Sequence, residues 1–398
     1  MKPLHVLAIH RYYWPDSPPY AAMLKEIVKI WSQAGHDVDV LTSQPSYKKN
    51  IDNQRLPRLV QESGITVQRL SLHNESGRPF VRIYNAFKLG FEILRKAIFN
   101  HYDIIMISTS PPVLGGWFAA IASKIHSSRF IYHCMDIHPE VGRISGEFSN
   151  STIFRCLSKM DSFSCNTANP VVVLSDDMAQ SIRDRDGCNN VKIEVINNFS
   201  LPSGESLLKD IPIPFGDNVF TVLFAGNIGR FQDLDNVLTA MEILSDNRNI
   251  EFIFMGEGVE KNKLKKRAIS TGVNVKFISQ QSIEIAKEVM KRVDLGYVGL
   301  IKGVVRYAYP SKIMTYLEQG CPVLVAVEEG SDLANDVHRC KYGFTVEPGD
   351  AKALANLLLE LSKNMNWTKK MKKSALDKSN KEYSFDMAMS KWTKLLVE

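Results

Sequence analysis

The run Val323-Leu324-Val325-Ala326-Val327 is apolar at five successive positions, and that narrows the folds open to this chain. A strand with one wet face alternates, whereas a strand with no polar position has both faces covered, the condition of a parallel strand between two helical layers. The residues before it form a polar turn, a short helix and a stop. Pro310 suits a first helical turn and Gly320 the stop, while Ser311 and Lys312 fall where unpaired N–H groups and the positive end of the helix dipole gather. The pattern is that of an anion site opening onto the crevice of an α/β domain.

Shorter versions of the pattern recur. Leu4 to Ile9 reads as a first strand, a helix spans Ala21 to Ala34, Gly35 ends it, and His36 to Leu41 alternates as the next strand, completing a βαβ unit. Further strands are expected at Ile104 to Ile107, Phe130 to Tyr132, Val171 to Leu174 and Val191 to Ile196. Between Asn197 and Gly216 the composition turns to Asn, Ser, Pro and Gly without apolar period, so a linker is expected there. Strands resume at Thr221 to Ala225, Glu251 to Met255, Asn274 to Ile278, Leu295 to Val298 and Val323 to Val327. Helices separate them at Asp233 to Ser245, Lys261 to Ser270 and Ser282 to Lys291, with another at Lys352 to Lys363.

A chain of 398 residues is long for one core. The expected architecture is therefore two doubly wound α/β domains facing a cleft, residues 1–200 and 201–380, followed by a helix in 381–398 carrying Phe385, Met389, Trp392, Leu395 and Leu396 near helical spacing. Hydrophobic residues at 44% and charged residues at 23% argue against both disorder and a membrane bundle. The apolar run at the N-terminus is interrupted by Arg11 and Pro15, too early for a signal peptide or a span. Six cysteines without a C-x-x-C pair fit a reduced, cytoplasmic compartment.

The polar motifs cluster at expected strand ends. Gly226-Asn227-Ile228-Gly229-Arg230 joins a strand to a helix, where glycines let backbone N–H groups approach a phosphate and Arg230 can pair with it; the alternative is a tight connection with no ligand. The third glycine of a dinucleotide fingerprint is missing, which argues against a dehydrogenase. Gly256-Glu257-Gly258 ends the next strand, and Ser279-Gln280 ends another, where backbone groups can read a flat base. With Lys312 and the loop cations Lys302 and Arg306, these place a nucleotide diphosphate at the strand ends of the second domain. In the first domain, His133, Asp136, His138 and Glu140 crowd into eight residues after a strand, a density suited to positioning or deprotonating an acceptor hydroxyl, with Asp16 as a loop carboxylate on the same edge. A single histidine is often structural, and Asp16 is equally readable as a turn residue.

Neither D-x-D pattern reads as a metal site. Asp37 and Asp39 lie on one face of an alternating strand, and Asp233 and Asp235 open a helix, where acids favour the dipole; no His/Cys cluster has zinc spacing. Between Gln44 and His101 stand ten basic residues against four acids, among them Lys48, Lys49, Asp52, Arg69 and Arg82, a local excess equal to the whole chain's +6. Residues 80–101 combine Phe80, Ile83, Tyr84, Phe87, Phe91, Ile93, Leu94, Ile98 and Phe99 with Arg82, Lys88, Arg95 and Lys96. That pattern fits a helix on an anionic membrane surface and equally a core-facing helix with a solvated basic side. No nucleic-acid-binding motif accompanies the charge.

Taken in order, Tyr13-Trp14-Pro15-Asp16, His133 to Glu140, Val173 to Met178 leading to Val195-Ile196-Asn197-Asn198, Gly226 to Arg230, Gly256 to Gly258 and Pro310-Ser311-Lys312 through Val323 resemble the retaining GT-B glycosyltransferases of family 4. That type is often found in bacterial polysaccharide and glycolipid assembly, and the resemblance covers nearly the whole chain. It implies a UDP-sugar donor held mainly by the C-terminal domain and an acceptor held by the N-terminal domain. It further implies no metal or other cofactor, and a last helix crossing back onto the first domain.

On that reading the donor site comprises Gly226, Asn227, Gly229, Arg230, Glu257, Gln280, Lys302, Arg306, Pro310, Ser311, Lys312 and Thr315; His133, Asp136, Asp16 and Glu140 serve the acceptor. Tyr307 and Thr315 stand where many relatives carry two glutamates eight positions apart, so Lys312 is expected to take over charge neutralisation. The Pro-Ser-Lys version resembles a subgroup that adds amino- or deoxysugars to lipid-linked precursors. This implies a lipid-linked saccharide acceptor at the inner face of the cytoplasmic membrane. The rival readings are a UDP-sugar 2-epimerase of the same fold and a non-catalytic sugar-nucleotide-binding protein.

Overall fold

The computed structural model describes residues 2–16, 19–46, 55–75, 78–146, 150–201, 216 and 218–397. The chain divides into two compact units, Met1–Asn197 with Ala388–Glu398, and Asn198–Met387. The breaks thus lie after Asn197 and Met387 rather than after residues 200 and 380. Of the expected linker, residues 202–215 lie outside the described residues, as do Lys48, Lys49 and Asp52 of the basic segment.

The first unit is built on an eight-stranded sheet. Its strands are β1 (His5–Ile9), β2 (Asp37–Ser43), β3 (Leu59–Glu62), β4 (Ile65–Leu70), β5 (Ile104–Ser108), β6 (Arg129–His133), β7 (Val171–Val173) and β8 (Ile193–Val195), in the order β3-β4-β2-β1-β5-β6-β7-β8. All neighbours pair in parallel except β3 with β4. The crossovers carry α1 (Pro19–Gln33), α2 (Pro79–Phe99), α3 (Leu114–Ile125), α4 (Glu140–Ile144), α5 (Ser151–Thr167) and α6 (Asp176–Arg183). β1 and β5 are buried at almost every position, as apolar runs covered on both faces must be. Ser175 caps α6 by accepting from the Met178 N–H, and Asp176 and Asp177 complement the dipole in its first turn.

The second unit has a six-stranded, wholly parallel sheet of β9 (Phe220–Ala225), β10 (Ile250–Met255), β11 (Val275–Ile278), β12 (Leu295–Gly299), β13 (Val323–Ala326) and β14 (Gly343–Val346), in the order β11-β10-β9-β12-β13-β14. Its helices are α7 (Leu234–Ile243), α8 (Lys261–Thr271), α9 (Ile283–Arg292), α10 (Lys312–Glu318), α11 (Asp332–Cys340), α12 (Ala351–Lys363) and α13 (Thr368–Lys378). A π-helical turn, Ser379–Tyr383, precedes α14 (Phe385–Val397). One face of the sheet sets Val222, Phe224, Phe252, Phe254 and Tyr297 against Leu238, Leu354 and Leu358.

Each sheet has one point where the chain reverses its direction of growth, between β1 and β5 in the first and between β9 and β12 in the second. Loops leaving neighbouring strands there diverge and open a crevice at the carboxyl edge. From Ala388 onward α14 belongs to the first unit. Trp392 is buried beside Trp31, whose indole N–H donates to the Trp392 carbonyl at 3.0 Å, and the Arg129 guanidinium donates to the Leu395 carbonyl.

Candidate functional site

In the second unit the turns that end β9 and β10 are packed backbone against backbone. Gly226 and Gly256 have φ of +138° and +152°, and a Cβ on Gly256 would lie 1.8 Å from the Gly226 carbonyl oxygen. Only glycine meets both demands. The Gly226 N–H donates to the Met255 carbonyl, the Gly256 N–H to Ile278, and the Ile228 N–H to Glu257, so the three strand ends are tied together at 2.8 to 3.0 Å. Across the reversal point the Ile301 N–H donates to Phe231 at 2.9 Å, which joins the loop after β12 to the Gly226 turn.

Lys312 reaches into this floor from the start of α10. Tyr316, one turn on, fixes the helix by donating to the Leu223 carbonyl and accepting from the Ala225 N–H, both at 2.8 Å. The Lys312 ammonium lies 3.6 Å from the centre of the Phe224 ring and donates to Gln232 Oε1 at 2.8 Å. It lies 3.5 Å from where a Cβ on Gly226 would stand, an ordinary van der Waals distance. Among the described residues no carboxylate pairs with it. Desolvation lowers its pKa from 10.5 to about 7. A partly buried cation without a counter-ion beside two glycine turns can take an anion as its missing partner. The helix start contributes less than expected, because the N–H groups of Ile313 and Met314 already donate to Pro310 and Ser311.

The other expected donor-site residues fall on the same carboxyl edge but differ in setting. Asn227 and Arg230 are exposed, and Arg230 stands 3.6 Å from Glu260. Gly229 continues the first turn. Glu257 is paired with Lys261 at 2.7 Å, and that hydrogen bond lowers its pKa. Gln280 is exposed just beyond β11, and Lys302 and Arg306 are exposed on the loop after β12. Pro310 is buried, and Ser311 and Thr315 are partly so.

The first-unit residues need larger revision. His133 is 2% exposed, accepts or donates at Nδ1 to the Tyr20 hydroxyl at 2.8 Å, and packs 4.9 Å from the Trp392 ring. Burial lowers its pKa to about 3, so it is a neutral interior imidazole and not a base offered to an acceptor. Glu140 is bound to Arg185 through both oxygens at 2.9 and 2.6 Å; Arg185 also holds Asp161 at 2.6 Å and the His138 carbonyl. Glu140 thus belongs to a buried ion network rather than to acid–base chemistry. Asp16 is 3% exposed and accepts from the Ser46 N–H at 3.0 Å, consistent with a turn role. Asp136 remains the candidate. It is partly buried after β6, and burial raises its carboxyl pKa while His138 opposes the shift.

Sequence reasoning missed Phe224 and Gln232, whose contact with Lys312 spans some 80 residues of chain. Lys96, expected as a cation flanking the apolar face of α2, instead turns inward to Asp39 at 2.9 Å and to Tyr102. That pair also fixes Asp39, one of the D-x-D acids.

Two family models cover most of the chain. Residues 20–198 match the one described as Glycosyl transferase 4-like domain, and residues 210–378 the one described as Glycosyl transferases group 1. The putative colanic acid biosynthesis glycosyl transferase WcaI of Escherichia coli (strain K12) is 23% identical over 394 residues, 92% of this chain and 95% of that one. The probable glycosyltransferase WbjE of Pseudomonas aeruginosa is 23% identical over 292 residues, 71% and 72% of the two chains. Anabaena Alr3699/HepE, solved in complex with UDP, superposes with a TM-score of 0.70 at 17% identity, covering 99% of this chain and all of that one.

Proposed function

Since the chain belongs to the group 1 glycosyltransferases, with a glycosyl transferase 4-like domain in its N-terminal half, we propose that it moves a sugar from a UDP-sugar to a lipid-linked saccharide acceptor in polysaccharide assembly. The Lys312 ammonium carries this reading, because a partly buried cation with no carboxylate partner among the described residues, beside the Gly226 and Gly256 turns, is suited to a diphosphate. The printed name of WcaI, with its colanic acid biosynthesis, supports the polysaccharide setting. The resemblance of the Pro310-Ser311-Lys312 turn to a subgroup that adds amino- or deoxysugars supports such a sugar as the donor's.

In the transfer, the bond from the anomeric carbon to the diphosphate oxygen breaks as a bond to the acceptor hydroxyl forms on the same face. The acceptor proton passes to the departing diphosphate, so no protein nucleophile is needed and configuration is retained. Charge grows mainly on the diphosphate, and Lys312 stabilises it, assisted by the exposed Arg230, Lys302 and Arg306. Asp136 orients the acceptor hydroxyl. The test is incubation of the purified protein with a panel of UDP-sugars, with and without lipid-linked acceptors. The expected result is UDP release that requires acceptor; an isomerised UDP-sugar formed without acceptor contradicts the proposal.

The first unit carries the membrane part of the proposal. No helix among the described residues is long and apolar enough to cross a membrane. Helix α2 buries Leu89, Ile93 and Ala97 inward yet also exposes an outer row, Phe80 (84%), Tyr84, Phe87 and Phe91, flanked by Arg82 and Arg95. An apolar row edged with guanidinium groups suits the inner, anionic face of the cytoplasmic membrane. Vesicles rich in acidic lipid should carry the protein upward in flotation at low salt, and less so as salt rises. Phe91→Asp should reduce that binding severalfold. Equal flotation with neutral and acidic vesicles sinks the idea.

A further inference from the structure

Two arginines in the first unit are buried with donors unused. Arg11 follows β1 and is 5% exposed; Arg69 sits at the end of β4 and is 7% exposed. Both belong to the carboxyl edge, where β4, β2 and β1 lie side by side in parallel register. Both side chains meet the loop Tyr12–Asp16. Arg69 donates to the Trp14 carbonyl at 3.2 Å, and Arg11 feels Asp16 and Tyr12. Arg11 Nε and Arg69 Nη1 are buried without a hydrogen-bond partner.

Burial of an N–H of a charged group is costly when nothing accepts from it. The carboxylates near by do not remove that cost. Glu75 pairs with Arg11 through Nη1, leaving Nε, and no carboxylate among the described residues pairs with Arg69. Arg82, from the first turn of α2, adds repulsion at Arg11. Desolvation is the largest influence on both Arg11 and Arg69 and acts against their charge. Arg11 and Arg69 thus keep two idle donors, Nε of the first and Nη1 of the second, beside the loop Tyr12–Asp16. A planar guanidinium with a free edge matches a phosphate oxygen. The apolar row of α2 begins at Phe80 and Tyr84, on either side of Arg82 in sequence. A ligand reaching both features carries phosphate at one end of a hydrocarbon.

We propose that Arg11 and Arg69 form a phosphate subsite of the first unit, which receives the phosphate or diphosphate ester of a lipid-linked acceptor whose hydrocarbon lies against the outer row of α2. This rests on the reading of the first unit as the acceptor side, and it names what part of the acceptor is recognised. It makes the phosphate a recognition element in its own right, apart from the donor's diphosphate in the second unit.

The test measures farnesyl diphosphate and inorganic pyrophosphate binding by calorimetry on the full chain, with UDP saturating so that the donor side is filled. Farnesyl diphosphate should bind, and more tightly than pyrophosphate. Arg69→Gln, which keeps a donor for the Trp14 carbonyl, should weaken binding about tenfold or more. Glu75→Gln, which frees Arg11 while keeping a contact for Asn85, should tighten it, a sign that misfolding cannot produce. UDP affinity should be unchanged in both variants. No farnesyl diphosphate binding, or unaltered affinity in both variants, overturns the subsite. Equal affinity for the two probes overturns the lipid assignment. Loss of UDP binding in the unmodified protein strikes the donor reading instead, so the two failures are separable.

Discussion

Replacing Lys312 with alanine is expected to lower acceptor-dependent turnover by about 10²–10³-fold, the usual cost of removing one preorganised charge from the place where transition-state charge develops. UDP affinity should fall with it, because the ammonium meets the same diphosphate in the bound product. Lys312→Arg keeps the charge but not the compact head that fits between the Phe224 ring and Gln232, so it should recover only part of the loss. The lowered pKa supplies an independent readout. In the unliganded protein Lys312 is protonated below about pH 7 and neutral above it. A bound diphosphate favours the charged form, so above about pH 7 binding takes up a proton and affinity falls by up to about tenfold per pH unit.

Below about pH 7 that contribution to UDP affinity is flat. Arginine removes the slope, since it stays charged. Folding stability follows the opposite trend. Between about 7 and 10.5 the unfolded chain holds a proton on this lysine that the folded protein lacks, so the lysine's contribution to stability rises with pH across that window. Comparison with Lys312→Met isolates this group in a pH series of denaturant titrations. Turnover and UDP affinity unchanged in Lys312→Ala would end the assignment.

Replacing Arg185 with methionine is expected to destabilise the first unit by about 3–5 kcal/mol, as seen when one member of a buried ion network is removed and its partners stay charged. Arg185 is the common donor to Asp161, Glu140 and the His138 carbonyl, and Asp161 also accepts from the Tyr132 hydroxyl at 2.6 Å. The side chains of Arg185 and Asp161 are 7% and 3% exposed, so water cannot substitute for the lost partner. The network joins the segment after β6 to α5 and to the end of α6, and Asp136 lies on that segment. Urea unfolding monitored by first-unit tryptophans is the measurement. A change below about 1 kcal/mol would show that the network is replaceable and that the loop is held by something else.

The parts of the fold legible in sequence were those governed by runs and stops. Val323 to Val327 announced a covered parallel strand, and the strand starting at Thr221 announced a second unit. The β3–β4 hairpin is faint in the sequence because Leu59–Glu62 is short and mostly exposed, although the Ser63-Gly64 pair between its strands is a turn signal and both residues have positive φ. Side-chain direction was less legible than position. Lys96 and Arg95 are neighbours on α2, and only packing against β2 decides that one turns inward to Asp39 and the other stays in water. Among the site residues, Lys312 could be picked out from its helix start, but its chemistry comes from Phe224 and Gln232, which no local pattern brings near it. The setting of His133 is hidden for the same reason. Its strand-end position is visible in sequence, and the residues that bury it, Tyr20 and Trp392, come from opposite ends of the chain.

Trp392 also constrains the order of events during synthesis. The Trp31 indole N–H has its acceptor on the Trp392 carbonyl, and the Arg129 guanidinium reaches the Leu395 carbonyl. While the ribosome is still translating the second unit, the Trp392 and Leu395 carbonyls are not yet there to accept from these donors, and Trp31 and His133 lack the cover of the Trp392 ring. The first unit to be made is therefore the last to be finished. A chain truncated before residue 388 is expected to be cleaved faster within its first unit than the full chain in limited proteolysis, since it lacks the segment that completes that unit.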